Sequence, residues 1–278
     1  MKCLPGNLPI PVQFTGGKMI LKDIQNLSDD RNIPIDKVGV KNINYPIIVL
    51  DKVKKHQHTI ASINMFVNLP HHFKGTHMSR FIEILNKFRF EIGISNFHEI
   101  LEEMLEKLNA ESAHLEVSFP YFIEKEAPIT QAKGLMEYHC MFIGNKKKNE
   151  ELDFIISIKA PVTSLCPCSK EISDFGAHNQ RSVVTVNFKF DKFVWIEDIV
   201  EVIESSCSSP VYSILKRPDE KYVTEKAYNN PMFVEDMVRE LALKLKEMED
   251  ITWFTIEAEN FESIHNHSAY AFIESSNI

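Results

Sequence analysis

The feature that most constrains this chain is an order of hydrophobic periods that occurs twice. Residues 38–49 and 59–67 are rich in β-branched side chains, with a polar turn over 51–57 between them, which reads as a pair of strands. Phe81, Ile84, Leu85 and Phe88 then recur at helical spacing, in a helix opening near Ser79, as do Phe97, Ile100, Leu101, Met104, Leu105 and Leu108. Ser95 or Asn96 suits the N-cap of the second helix. Ala113, Leu115, Val117 and Phe119 alternate as a strand does, and another strand is expected over 135–143. After the polar segment 144–151 the order returns. Strands are expected over 154–160 and 184–190, with a long polar loop between them. Helices carry Ile196, Ile199, Val200 and Ile203, then Val234, Met237, Val238, Leu241 and Leu245, and strands follow over 252–259 and 268–274.

The chain thus reads ββααββ twice, without a residue-level repeat. Adjacent antiparallel strands with grouped helices predict an α+β fold, helices on one face of the sheets. The expected division is an irregular N-terminal arm over 1–30, a first module over 31–148 and a second over 149–278. Tandem modules leave strand edges to be covered, and self-association would cover them.

A charged fraction of 25% and a hydrophobic fraction of 44% exclude large-scale disorder. The formal net charge of -8 gives no electrostatic footprint for nucleic acid, though a polyanionic small ligand needs only a local basic pocket. No apolar run reaches the ~18–20 residues of a membrane span, and the first residues lack a signal-peptide pattern. Five cysteines, an odd number, argue against a disulfide framework and for a cytoplasmic protein.

Clustered polar residues carry the candidate chemistry. Cys166-Pro167-Cys168 is too closely spaced for a C-x-x-C zinc knuckle. One thiol can bind metal while the other faces a substrate, although an isolated pair of this kind is more often two plain loop thiols. Lys170 stands where it could lower a thiol pKa, and His178 follows within the same loop and can return toward Cys166. The polar run Asn179-Gln180-Arg181 needs partners, which a ligand or solvent could supply. Near the end of the chain Glu262, His265 and His267 share a turn. The histidines share a face if the segment is extended, and Glu262 could orient one imidazole. A polar hairpin tip explains them equally well. Glu235 and Asp236 open a helix, where acidic residues commonly complement the dipole, and Glu220 could be a solvated loop carboxylate.

Together the segments VTSLCPCSKEIS, GAHNQRS, RPDEKYVTE, NNPMFVEDMVR and ESIHNHSAYA, with DKVGVKNINYPI and QHTIASINMFVNLPHHFKGTHMSRFIEIL earlier, resemble the prokaryotic type B class of GTP cyclohydrolase I. The resemblance runs from about residue 24 to 275. It implies the tunnelling fold, with two ββααββ modules per subunit, and a homotetramer with active sites at subunit interfaces. It also implies conversion of GTP and water to 7,8-dihydroneopterin triphosphate and formate, the first step of tetrahydrofolate and related pterin and deazaguanine synthesis.

The resemblance further implies roles. Cys166, His178 and Glu220 match the ligands of a divalent metal, a mixed donor set compatible with zinc, manganese or iron. Cys168 matches an active-site thiol, and His265 and His267 match proton-transfer groups supported by Glu262. Glu235 matches the carboxylate that holds the guanine edge by two hydrogen bonds. Metal-activated water is expected to attack purine C8. Arg181, Lys170 and Arg217 are candidates for the triphosphate, with Lys74, His77 and Arg80 from the first module. An archaeal branch yielding a cyclic-phosphate product shares these motifs. A nitrile reductase of the same fold would need no metal triad, and a non-enzymatic pterin- or purine-binding protein would more often have a closed four-ligand metal site.

Overall fold

The computed structural model describes residues 14–15, 18–19, 23, 25, 27–89 and 92–278. Much of the arm expected over 1–30 lies outside the described residues. Within it, β1 (Phe14–Thr15) and β2 (Lys18–Met19) pair with each other.

Eight strands form one continuous antiparallel sheet in chain order. They are β3 (Ile35–Asp51), β4 (Lys55–Leu69), β5 (Ser112–Glu126), β6 (Lys133–Lys147), β7 (Asp153–Leu165), β8 (Asn179–Phe190), β10 (Ile251–Asn260) and β11 (Ala269–Glu274). The two-residue β9 (Ser209–Pro210) adds to β7. The hairpin β6–β7, through pairs such as Asn145 with Asp153, carries the sheet across the polar segment 144–151. Strand burial alternates as period two requires; in β5, Ala113, Leu115, Val117, Phe119 and Tyr121 are buried.

The helices cover that buried face. α1 (Met78–Lys87) and α2 (Phe97–Lys107) pack on the first four strands, α4 (Ile196–Ser205) on β7, and α6 (Val234–Glu247) on β10 and β11. In α6, Val234, Met237, Val238, Leu241, Ala242 and Leu245 are buried, a single stripe at three- and four-residue spacing. Asn96 precedes α2 as expected, but its side chain makes no cap bond; a short 3-10 turn, Ile94–Asn96, leads into the helix instead. An aromatic run joins the two groups of helices. Phe154 of β7 meets Phe97 at 5.0 Å, Phe142 at 5.9 Å and Phe190 at 6.2 Å between ring centroids, so one core spans the whole sheet.

Two helices differ from the sequence expectation. The loop holding the cysteines contains a short helix, α3 (Pro167–Ile172), and α5 (Arg217–Asn229) covers the RPDE segment. In α5 only Asp219 and Ala227 are buried, so there is no apolar stripe for periodicity to detect.

The opposite face carries a polar chain. A bulge puts Asn42 in the left-handed region, φ 57, and shifts the β3–β4 register between Val40 and Ile43. Asn64 Oδ1 accepts the Asn42 N–H at 2.9 Å, and Asn64 Nδ2 donates to Glu116 at 2.7 Å. His114 Nε2 lies 2.7 Å from the other Glu116 oxygen.

Candidate functional site

The site forms where β7 ends and β8 begins. Leu165 pairs with Asn179, and the next residue out, Cys166, donates its backbone N–H to the His178 carbonyl at 3.1 Å. Strand pairing therefore brings Cys166 and His178 together across the connection. Cys166 is the N-cap of α3, and its Sγ accepts the Ser169 N–H at 3.4 Å. Pro167 supplies the first helical residue, where a missing N–H costs nothing. Ser169 locks the loop, its hydroxyl donating to the Cys166 carbonyl and accepting the His178 N–H. Cys166 is part-buried and Cys168 exposed. The other two described thiols, Cys140 and Cys207, are buried in the core, and burial pushes both up beyond the ordinary thiol range.

A buried polar cluster lies beneath this pair. Gln180 Oε1 is 3.0 Å from His178 Nδ1, and Gln180 Nε2 donates to Ser164 Oγ at 2.7 Å and toward Glu262 Oε1 at 3.5 Å. Ser182 Oγ donates to Ser164 Oγ. Gln180, Ser164 and Ser182 are all buried, so within the polar run at 179–181 the protein itself supplies partners for Gln180, while Asn179 and Arg181 are exposed to solvent. The buried positions were legible in the sequence. Gln180 and Ser182 continue the core phase of Val184, Val186 and Phe188, and Ser164 continues that of Ile158, Ala160 and Val162. Asn260, at the end of β10, is also buried, and its Oδ1 has no partner among the described residues.

The turn after β10 closes over the cluster, tied by the Phe261 N–H to the Arg181 carbonyl at 3.0 Å. His265 and His267 are exposed and their rings stack at 5.1 Å, 15° from parallel. Residues 263–267 form a run of bends rather than an extended strand, yet the two rings come together. Glu262, however, contacts Gln180 rather than either imidazole, because its chain position sits above the start of β8. The segment before α6 is anchored by the Met232 N–H to the Leu165 carbonyl at 3.0 Å. Asp236 caps α6 by accepting the Phe233 N–H at 3.0 Å. Glu235, beside it, is exposed and has no hydrogen bond or ion pair among the described residues.

Glu220 lies in the first turn of α5, exposed. The buried neighbour Asp219 fastens that turn to the β5–β6 connection. It accepts the backbone N–H groups of Ile129, Thr130 and Lys216, each at 2.9 Å, and the Thr130 hydroxyl at 2.6 Å. Burial raises the Asp219 pKa, but these donors outweigh it and hold the carboxyl well below the usual range. Among the described residues no three His, Cys, Asp or Glu side chains converge closely enough to hold an ion. The structure joins Cys166 to His178 but does not bring Glu220 to them.

The proposed cations are scattered. The Lys170 ammonium lies 4.3 Å from the centre of the Tyr228 ring and donates to the Tyr228 carbonyl. Arg217 is exposed at the start of α5, and Arg181, paired with Thr163, occupies the strand phase opposite to Gln180. Lys74 is exposed, His77 Nε2 lies 3.2 Å from Asp23, and Arg80 donates to the Lys107 carbonyl at 2.8 Å. These last three follow β4, at the end of the sheet where β7 begins rather than where it ends.

A model of the type I GTP cyclohydrolase folE2 family matches residues 21–271, taking in every one of these positions. This chain belongs to that family. It is 65% identical over 254 residues to GTP cyclohydrolase FolE2 of Geotalea uraniireducens, covering 91% of this chain and 93% of that protein. FolE2 of Syntrophus aciditrophicus is 64% identical over 252 residues, covering 91% and 98%. Among solved structures, a uricase from Bacillus fastidious aligns with a TM-score of 0.54 at 9% identity, over 86% of this chain and 92% of that one. Urate oxidase from Bacillus sp. TB-90 aligns at 0.51 and 11%, over 86% and 98%. These neighbours share the tunnelling fold with this family member, and at such identity they speak for the fold alone. Among the described residues no helix is long and apolar enough to cross a membrane.

Proposed function

We propose that this chain is a GTP cyclohydrolase that opens the purine ring of GTP where β7 ends and β8 begins, yielding 7,8-dihydroneopterin triphosphate and formate. The observation that carries the reading is the Cys166–His178 pair, backbone-locked together and backed by Gln180, Ser164 and Glu262 in a protein of this family. A thiolate and an imidazole fit zinc, manganese or iron as mixed soft and borderline donors. Glu220 is the proposed third donor. A bound divalent ion would lower the pKa of a water molecule there.

The chain's own groups account for the rest. Glu235, with no partner among the described residues, is suited to accept the N1–H and 2-amino donors of guanine. The exposed pair His265 and His267 can move protons to and from the ring nitrogens as the imidazole ring opens. Cys168, exposed one residue beyond Pro167, is the candidate substrate thiol.

A tetramer with interfacial sites agrees with two features. The outer edges of β3 and β11 pair with no other described strand, and open edges invite pairing with another copy. Lys74, His77 and Arg80 lie at the far end of β7 from Cys166, roughly 40 Å along a 13-residue strand. They reach a triphosphate at Cys166 only from a second copy. The test is direct: metal-stripped protein is given GTP with zinc, manganese or iron in turn, and formate and oxidised-pterin fluorescence are measured. Formate with at least one metal is expected; none with any metal overturns the reading.

A further inference from the structure

We propose that Gln180 is a positioning residue that fixes the tautomer of His178 and ties the proton-transfer turn to the metal-donor pair. The inference rests on reading His178 as a metal donor. A carboxylate can only accept hydrogen bonds, so the Gln180 atom facing Glu262 must be the amide nitrogen. That nitrogen also satisfies Ser164 Oγ at 2.7 Å, and Ser182 supplies a further donor to Ser164. The amide is thereby oriented, and its oxygen must face His178 Nδ1 at 3.0 Å. An amide oxygen only accepts, so Nδ1 carries the ring proton. The lone pair is left on Nε2, the nitrogen free to bind an ion. Metal-bound imidazoles are oriented in just this way by a partner on the other nitrogen.

The arrangement has a second consequence. Glu262 belongs to the turn bearing His265 and His267, and Gln180 is its only hydrogen-bonded link to His178 among the described residues. Gln180 itself is buried and lies under the donor pair, so it acts through His178 rather than on substrate.

The experiment uses metal-free full-length protein with ¹⁵N-labelled histidine side chains. The His178 signals, assigned by their loss in His178→Ala, are expected to show a protonated Nδ1 and an unprotonated Nε2 in the neutral ring. A protonated Nε2 overturns the proposal without any Gln180 variant being needed. In Gln180→Leu the single tautomer should give way to a mixture, and zinc affinity, read by competition with a chelator, should fall about 10–100-fold. In Gln180→Glu, which keeps an acceptor against Nδ1, the tautomer should persist and zinc should bind more tightly than in the leucine variant. Equal tautomer and equal zinc affinity in wild type and Gln180→Leu overturn the proposal. A protein with the expected tautomer that releases no formate under any metal defeats the proposed reaction while supporting the role of Gln180.

Discussion

The two halves of the sheet share a strand plan and differ in what joins the strands. Between β3 and β4 the chain turns within residues 52–54, with Asp51 Oδ1 accepting the Val53 and Lys54 N–H groups. The corresponding connection of the second half, from β7 to β8, takes in Cys166, α3 and His178. Between the helices, the first half has the 3-10 turn Ile94–Asn96 as its one element among the described residues, whereas the second inserts β9 and α5 with Glu220. The halves bury equivalent core faces, so the sheet is satisfied by either kind of connection. Chemistry is thus placed where the scaffold is indifferent to what the connection contains.

The largest effect expected from this contrast is at the connections themselves. Cys166→Ala should abolish zinc binding and lower turnover by more than the ~100-fold typical of losing an outer partner, whereas Val53→Ala, in the short turn, should leave both unchanged. Comparable losses in the two variants, measured by chelator competition and formate release, would break the comparison. Phe142→Ala removes a buried ring that meets Phe97, Phe119 and Phe154, and should cost about 3–5 kcal/mol in urea unfolding. The two halves should still unfold in a single transition, and two separate transitions would show that the core is divided.

Gly144→Ala is a smaller perturbation of the same core. An added Cβ would lie 2.7 Å from the Phe97 ring and 2.8 Å from Leu101, an overpacking worth about 1–3 kcal/mol. A neutral result would mean that α2 shifts freely on β6. The smallest effect is expected on the polar face of the first half. Burial raises the Glu116 pKa, but hydrogen bonds from His114 and Asn64 outweigh it, so the folded carboxyl lies below its ordinary value. Its stabilising contribution is present above the ordinary glutamate value and is lost as pH falls through the folded one. Glu116→Gln should flatten the acid limb of the stability curve slightly and leave neutral-pH turnover alone; an unchanged acid limb would remove Glu116 from the account.

Sequence periodicity located all eight strands of the main sheet and the helices α1, α2, α4 and α6, because each buries one face and must repeat apolar residues at its own period. It fell short at strand ends. β5 extends to Glu126 and β6 begins at Lys133; beyond Tyr121 and before Met136 the strands run past the buried core and no burial marks them. It missed α5 because that helix is held by the Asp219 hydrogen bonds rather than by an apolar stripe.

The same division applies to the site. Residue type and spacing were enough for the α+β order, the family motifs and the candidate donors Cys166, His178 and Glu220. Which of them meet depends on how the chain packs. Antiparallel pairing of β7 with β8 fixes Cys166 beside His178, and the turn after β10 delivers Glu262 to Gln180 rather than to a histidine. The physical reason is that period and residue type are local properties carried by neighbours in the chain. Hydrogen-bond partnership between strand ends depends on register, which is set by the sheet as a whole.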